Sequence, residues 1–414
     1  MLSTWAIVPL LRLDSRLNEL QNYVTEGDPV AQAIWTVVYV VALVLILRRS
    51  WRVLASALSD RALLLLHALI GVSLLWSESP EVSAKRAAAL FGTSLLGLYF
   101  ATRYTRSDLF RLLAWALGTA IVLSIATAVV APALAVDTST PEEGLRGIFS
   151  QKNILGRVMA LSVVVWLLYA ADYRRQVWLA LACAALSFGL LVLSNSKSAL
   201  VVCATLLVLL GLAVLARVRN SAALTVLCVL VLAVGGLGIG VVGSPEGVLD
   251  ALGRNITLTG RTRLWELVLE RIQDRPWLGY GYGGFWLGWS GPSWQIWAAS
   301  DWLPPDAHNG FLNAMLDVGV VGLLLLLASL VGSIRRALAL VLHSDTFEAL
   351  FPLMFIGYFV LSNIAETAAL TYNSILWMMF VTMAVQLRGG RIGRAGDEAV
   401  HRFVSRTRTS GSRL

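Results

Sequence analysis

The residues best suited to chemistry lie in one polar stretch, Asn255 to Gly310, which separates two long apolar parts of the chain. His308 stands near its end, beside Asn309 and two residues after Asp306. An imidazole has an unperturbed pKa of about 6.5, so it can take a proton from a hydroxyl group near neutral pH. His308 is therefore our candidate general base. The structural alternative is that it caps the apolar span that follows.

Composition determines what kind of protein must position this stretch. Of the 414 residues, 57% are hydrophobic and 14% are charged, and the mean hydropathy is +0.73, which is far too apolar for a soluble domain of this length. We predict an all-α polytopic membrane protein whose solvent is the lipid bilayer. The net charge of +8 is carried mainly by arginines in short loops, which indicates topology signals and no nucleic-acid partner. Cys183, Cys203 and Cys228 lie in apolar runs without metal-ligand spacing, so we expect unreactive buried thiols and no metal site.

Apolar runs that approach the length needed to cross a bilayer recur along the chain. We predict eleven spans, with residues 2–13 as a partial twelfth: 31–47, 62–76, 87–101, 110–135, 154–171, 177–194, 198–216, 222–242, 309–332, 349–370 and 372–387. This organisation has four parts, which are a transmembrane bundle over 1–242, a large outer loop over 243–308, C-terminal transmembrane helices over 309–387 and a basic cytoplasmic tail over 388–414.

Lysines and arginines are distributed unevenly between alternate loops. With the large loop outside, the inside loops and the C-terminal tail carry most of the arginines, as the positive-inside rule requires. The few outer cations then need a reason, and an anionic ligand is a good one. For Lys85 and Arg86 we favour simple anchoring at the interface. Lys197 lies in a short hinge between two spans, which favours a functional role, and Arg146 and Lys152 share another short outer loop.

The large loop contains a predicted amphipathic helix from about Gly260 to Arg275, with Trp265 on its apolar stripe. Arg261 would stand in the first turn, where a cation opposes the helix dipole. Beside the free N–H groups of that turn it would instead form a site for phosphate oxygens. The GYGYGG run follows a helix rather than a strand, so it does not predict dinucleotide binding. The tryptophans after it could stack on sugar rings or form an aromatic belt at the membrane interface.

Four patches of the chain carry a resemblance to a known family. They are RGIFSQKNILG (Arg146 to Gly156), LSNSKSAL (Leu193 to Leu200), TGRTRLWELVLERIQDRPWLGYGYGGF (Thr259 to Phe285) and HNGFLNAMLDVGVVG (His308 to Gly322). In type, order and spacing they resemble the O-antigen ligase and O-antigen polymerase superfamily of bacterial membrane glycosyltransferases. The predicted topology extends the resemblance over nearly the whole chain.

The resemblance implies a metal-independent transferase without a cofactor, in the bacterial inner membrane with its active site facing the periplasm. Its donor would be an undecaprenyl-diphosphate-linked oligosaccharide, its acceptor a glycan or lipid A core, and polysaccharide export proteins would be partners. His308 becomes the base, and Arg261 and Lys197 hold the diphosphate. The substrate-binding candidates are Arg146, Lys152, Asn153, Arg263, Trp265 and Asn309. Ligase-like patterns have Arg where this chain has Lys197, so an exopolysaccharide polymerase is favoured over a ligase.

Two other classes of function are considered. A lipid-linked-sugar transporter would carry charged residues buried in mid-membrane, whereas the predicted spans are nearly charge-free apart from Arg157 and Glu366 near their ends. A non-catalytic membrane scaffold would leave the clustered outer cations unexplained.

The predicted topology can be tested by cysteine labelling in a background without the native cysteines. A membrane-impermeant thiol reagent should label Ser290→Cys on intact spheroplasts, because this position lies in the outer loop. Ser405→Cys should react only after lysis. The reverse pattern would place His308 and Lys197 in the cytoplasm and refute the outer site.

Overall fold

The structure is a computed structural model, and it describes residues 29–48, 59–138, 143–216, 261–300 and 303–388. At positions 216, 261 and 262 only the backbone is described. The predicted span 222–242, the partial span 2–13 and the basic tail after Arg388 lie outside the described residues.

Helices make up nearly all of the described structure. The α-helices are α1 Pro29–Leu47, α2 Arg61–Val72, α3 Pro80–Arg103, α4 Arg106–Val130, α5 Pro132–Ala135, α6 Lys152–Asp172, α7 Val177–Leu193, α8 Lys197–Ala216, α9 Arg261–Asp274, α10 Trp294–Ala299, α11 Gly310–Leu342, α12 Phe351–Ala365 and α13 Ile375–Arg388. The other elements are an antiparallel pair of short strands, β1 Val136–Asp137 and β2 Gly144–Leu145, and 3₁₀ turns at Ser73–Trp76, Arg174–Gln176, Gly288–Ser290 and Phe347–Leu350.

Seven helices within the described ranges are long and apolar enough to cross a membrane. They are α1, α4, α6, α7 with its preceding 3₁₀ turn, α8, α11 and α12 with its preceding 3₁₀ turn. Two shorter apolar helices, Arg61–Trp76 and Ile375–Arg388, pack among them. The predicted all-α polytopic membrane fold is confirmed.

Local sequence explains several helix starts. Thr105 and Asp108 form a reciprocal capping box at the start of α4, in which each side chain accepts the other residue's backbone N–H. Asp60 caps α2 by accepting the N–H of Leu63 at 3.1 Å. Pro80 is the first residue of α3, where its missing N–H costs nothing.

Helix α3 begins seven residues before the predicted span 87–101, so Lys85 and Arg86 belong to its first turns and not to a loop. Lys85 forms an exposed ion pair with Glu81 at 2.8 Å. Arg86 donates to the carbonyl oxygen of Gly283 at 2.6 Å and therefore fastens the outer loop to α3. The polar start of this helix was missed because it packs against the loop and not against lipid.

Contacts between antiparallel helices define two ends of the bundle. At one end the Asp172 carboxylate, which terminates α6, accepts the N–H of Phe347 at 2.9 Å just before α12. Further along, the Tyr358 hydroxyl of α12 donates to the carbonyl of Arg157 in α6 at 3.1 Å. The first residues of α6 and the last residues of α12 must then lie together at the other end of the bundle. We call this the outer end, because α11 and α9 also begin near it.

Helix α11 is interrupted at Gly319, whose φ is +67°. The break frees backbone groups that lipid cannot satisfy. The loop supplies the partners, because the N–H of Val320 donates to Pro276 O at 2.8 Å and the N–H of Tyr280 donates to Leu316 O at 2.7 Å. The turn 276–280 therefore completes the hydrogen bonding of a membrane helix, and the outer loop is built into the bundle.

The GYGYGG run shapes this insertion. Gly279, Gly281 and Gly283 all have positive φ, at +66°, +86° and +66°, which L side chains rarely adopt. Between them Tyr282 is buried, and its hydroxyl donates to Leu370 O at 2.7 Å. Burial raises the pKa of Tyr282 well above its usual value, so the phenol stays protonated and able to donate. The glycines therefore serve the backbone conformation of this turn.

Replacement of Gly319 tests the loop insertion. A Cβ there would stand 2.1 Å from Trp277 O in a left-handed backbone, so we expect Gly319→Ala to lower the free energy of unfolding by about 2 kcal/mol or more. The measurement is thermal unfolding in detergent. The matched control is Gly211→Ala in α8, where a Cβ meets nothing within 4 Å and helix propensity favours alanine. Equal melting temperatures for the two variants would contradict the insertion.

Candidate functional site

The site is centred on a contact between His308 and Glu366. His308 Nδ1 lies 2.8 Å from Glu366 Oε2, and the side chains are 17% and 9% exposed. Asp306 links the two segments that carry this pair, because its Oδ1 accepts the backbone N–H of His308 at 2.7 Å and the side-chain hydroxyl of Thr367 at 2.9 Å. A carboxylate on Nδ1 favours the tautomer that carries its proton there. This leaves the Nε2 lone pair as the basic position of the ring.

Asn309 provides the cap of α11. Its Oδ1 accepts the N–H groups of Phe311 and Leu312 at 3.0 and 3.1 Å. The capping role considered for His308 is therefore filled by its neighbour. The side-chain oxygen of Asn309 thus lies on the helix terminus, and substrate binding by this residue stays a prediction.

Asn363 shapes the turn that carries Glu366. Its fully buried Oδ1 accepts the N–H groups of Ala368 and Ala369 at 3.0 and 2.6 Å. The start of α11 presses against the same atom, since a Cβ on Gly310 would lie 1.8 Å from it. Only glycine fits at position 310, and this close approach brings the chain segments of His308 and Glu366 together.

Helix α9 packs against the same segment from the loop side. The Trp265 indole N–H donates to Ala307 O at 2.8 Å, one residue before His308. Arg261 is the first residue of α9, and its side chain lies outside the described residues. Its position is four residues before Trp265, and residues with this spacing share one face of a helix. Arg263 is exposed and pairs with Glu266 at 3.2 Å.

Two predicted outer cations occupy equivalent places in neighbouring helices. Lys152 is the first residue of α6, and Lys197 is the first residue of α8. The Lys152 side chain is buried, and the backbone N–H of this residue donates to the buried Asp137 carboxylate at 2.9 Å. Lys197 is exposed. A lysine at a helix start opposes the dipole, and with the N–H groups of the first turn it suits an anion.

The loops that carry these lysines touch each other. A Cβ on Gly144 would lie 2.4 Å from Ser194 O and 2.9 Å from Lys152 Cδ, so glycine is needed where the two loops meet. Asn195 donates to Glu143 O at 3.1 Å across the same junction. Both helix starts are thus at the outer end of the bundle, the end that also carries His308 and Glu366.

Two other predicted residues flank this junction. Asn153 follows Lys152 in the first turn of α6 and is half-buried. The Arg146 guanidinium donates to Leu134 O at 3.0 Å and is half-buried as well. Within the described ranges, no group of three or more His, Cys, Asp or Glu side chains comes together that could hold a metal ion.

The sequence analysis did not assign Glu366 a role, because a single carboxylate at the end of an apolar run shows no pairing with a histidine 58 residues earlier. It also overlooked Asp317, a buried acid within the predicted span 309–332. Asp317 Oδ1 accepts the N–H of Gly283 at 3.0 Å, and Oδ2 accepts the Asn313 amide at 3.3 Å. These partners hold the outer loop in place, so this charge inside a span does not favour a transporter.

The tryptophans of the loop divide into two groups. Trp286 and Trp297 are buried, and their indole N–H groups donate to Asn313 Oδ1 at 2.8 Å and Pro304 O at 2.9 Å. Trp289 and Trp294 are about half exposed and can meet sugar or lipid. Trp302 lies outside the described residues.

Comparison with known proteins shows which proteins the chain resembles. The family model described as O-antigen ligase matches residues 182–327, which include Lys197 and His308. The exopolysaccharide production protein ExoQ of Rhizobium meliloti (strain 1021) is 28% identical over 209 residues. Both comparisons show that the chain is similar to O-antigen ligase/polymerase-like proteins, and the predicted resemblance is confirmed. The similarity to ExoQ covers 47% of each protein, so the chain matches about half the length of that relative.

The different burial of the two lysines gives a prediction about stability. Lys152→Met removes a buried cation from the residue whose backbone N–H binds the buried Asp137 carboxylate, and we expect it to lower the free energy of unfolding by about 1–3 kcal/mol. Lys197→Met, at an exposed helix start, should change it by less than about 0.5 kcal/mol. Thermal unfolding of both variants in one detergent provides the comparison. A large loss of stability in Lys197→Met would indicate that this lysine is a structural residue.

Proposed function

We propose that this chain is a metal-independent, inverting glycosyltransferase of the inner membrane that polymerises a surface or exopolysaccharide. Its donor is a glycan on undecaprenyl diphosphate, presented at the periplasmic face. One observation carries the proposal: the His308–Glu366 pair lies at the same end of the bundle as the helix starts that carry Lys152 and Lys197. A base and an anion site on one face are what transfer from a lipid diphosphate requires.

The step begins with an acceptor hydroxyl placed between His308 and the anomeric carbon of the donor sugar. The hydroxyl oxygen forms the new bond to that carbon while Nε2 of His308 takes its proton. The bond from carbon to phosphate oxygen breaks on the opposite face, and the lipid diphosphate leaves with the electron pair. Its added negative charge is stabilised by Arg261 and Lys197, with Arg146 nearby, because positioned cations are most effective where charge develops.

Glu366 acts as a positioning residue in this scheme. Its carboxylate holds Nδ1–H, fixes the ring and favours the imidazolium that forms during transfer. Trp265 and Asp306 bind the carbonyl and the N–H of the peptide unit that joins Ala307 to His308. The outer loop and the end of α12 must both be in place before the ring has this orientation.

Polymerisation is the first choice of reaction, because the relative from Rhizobium meliloti is named for exopolysaccharide production. Ligation to lipid A core is the second choice, because the matching family model is described as O-antigen ligase. The two reactions share the donor and the leaving group, and they differ in the acceptor. Export proteins would then receive the finished polymer.

The test uses purified full-length protein with a defined undecaprenyl-diphosphate oligosaccharide, with and without lipid A core. Release of lipid diphosphate with a longer glycan indicates a polymerase, and transfer to the core indicates a ligase. Neither product in folded protein would reject the enzyme. His308→Asn should lower the transfer rate by about 10²–10⁴, the usual contribution of a general base. Asparagine tolerates the left-handed backbone at this position, where φ is +45°, so folding should be retained.

Companion variants separate the roles. Arg261→Ala should weaken donor binding by about 1.5–3 kcal/mol, as expected for hydrogen bonds to a charged group, whereas His308→Asn should leave donor binding nearly unchanged. Glu366→Gln should lower the rate constant about a hundredfold with little change in KM, because only the orientation of the base is affected. A His308→Asn variant with normal transfer activity would refute the role of His308 as general base. Unchanged donor affinity in Arg261→Ala would refute the diphosphate contact.

A further inference from the structure

An open cleft lies at the inner end of the bundle, the end opposite His308. It has a volume of about 340 Å³ and is lined by Arg103, Tyr104, Asp108, Arg111, Leu112 and Trp115. Its position follows from α3, which starts at the outer loop and ends at Arg103. The carbonyl of Tyr104 accepts the Gln386 side chain at 2.9 Å, two residues before the end of α13. No part of the proposed transferase site reaches this cleft.

The polar wall of the cleft is basic. Arg111 donates to Asp108 Oδ1 at 2.7 Å and is about half exposed. The other oxygen of Asp108 accepts the Thr105 hydroxyl at 2.7 Å within the α4 capping box. The carboxylate therefore orients Arg111, whose guanidinium has five N–H donors in all. The Arg103 guanidinium carbon lies 5.3 Å from the centre of the Tyr104 ring, which holds a second cation at the cleft.

The rest of the cleft is apolar and lies on α4, a helix that is long and apolar enough to cross a membrane. Leu112 and Trp115 follow Arg111 along one face of α4, and they are 47% and 52% exposed. The Trp115 ring packs edge-on against Trp166, with ring centres 6.4 Å apart, which holds it at the bundle surface. A half-exposed tryptophan one helical turn from an arginine is typical of the membrane interface, where lipid headgroups meet the acyl chains.

We infer that this cleft binds the phosphate headgroup of an anionic phospholipid from the membrane leaflet opposite the transferase site. Arg103 and Arg111 contact the phosphate, and Leu112 and Trp115 contact the first part of the acyl chains. A soluble phosphate would satisfy the two guanidinium groups but would leave this apolar wall uncovered. The combination of paired cations with an adjoining lipid-facing wall selects the lipid.

Native mass spectrometry of the full-length protein in neutral detergent tests this assignment. Phosphatidylglycerol and phosphatidylcholine with identical acyl chains are titrated separately. We expect phosphatidylglycerol to bind more tightly, and Arg103→Gln/Arg111→Gln to weaken it by about tenfold or more, because each basic residue near the headgroup contributes. Trp115→Ala should weaken binding of the lipid while inorganic phosphate at millimolar concentration displaces little of it.

The matched control is Arg174→Gln/Arg175→Gln. These exposed arginines lie at the same end of the bundle, directly after α6, and neither lines the cleft. This variant should bind phosphatidylglycerol as the unchanged protein does. An equal loss of phosphatidylglycerol affinity in both double variants would show that only net charge matters and would overturn the site. Equal affinity for the two lipids, or full displacement by inorganic phosphate, would overturn the lipid assignment.

Discussion

Hydrogen bonding in the absence of water is the constraint on which the described structure depends. In the hydrocarbon core of a bilayer, each unsatisfied backbone group costs several kcal/mol, so a helix cannot be interrupted unless other groups take over its hydrogen bonds. Helix α11 is interrupted at Gly319, and the turn 276–280 provides those groups. The outer loop is consequently bound to the membrane helices by hydrogen bonds that neither side can make elsewhere.

The remaining anchors of the loop extend this principle. Arg86 of α3 and Asp317 of α11 bind opposite backbone groups of Gly283, its carbonyl and its N–H. Tyr282 reaches the segment after α12 through Leu370. With the loop held on two helices and on the segment after α12, Trp265 can fix the backbone beside His308. Structural hydrogen bonds inside the bundle thus determine the orientation of the largely buried imidazole at its outer end.

Local patterns in the sequence predicted the features that depend on local forces. Within the described ranges most apolar spans were predicted to within a few residues, although α11 ends ten residues after position 332 and α3 begins seven residues before position 87. The predicted helix 260–275 agrees with α9 because its 3–4 periodicity is a property of the segment itself. The start of α3 and the break in α11 were not predicted, because both depend on contacts with the outer loop. Arg86 of α3 binds Gly283, which lies 197 residues further along the chain, and the break in α11 is satisfied by the turn 276–280. The partner of His308 was missed for the same reason, since 58 residues separate it from Glu366.

The separation of His308 from Glu366 along the chain has a consequence for biogenesis. Synthesis proceeds from the N-terminus, and the loop has left the ribosome well before α12 is complete. The imidazole at that stage lacks its carboxylate, and the turn organised by Asn363 does not yet exist. The His308–Glu366 contact therefore forms only when the C-terminal helices insert, so a nascent chain halted before residue 366 has a membrane bundle and a loop but no carboxylate to orient the imidazole. Under the proposed mechanism, the order of synthesis itself would keep the unfinished protein inactive.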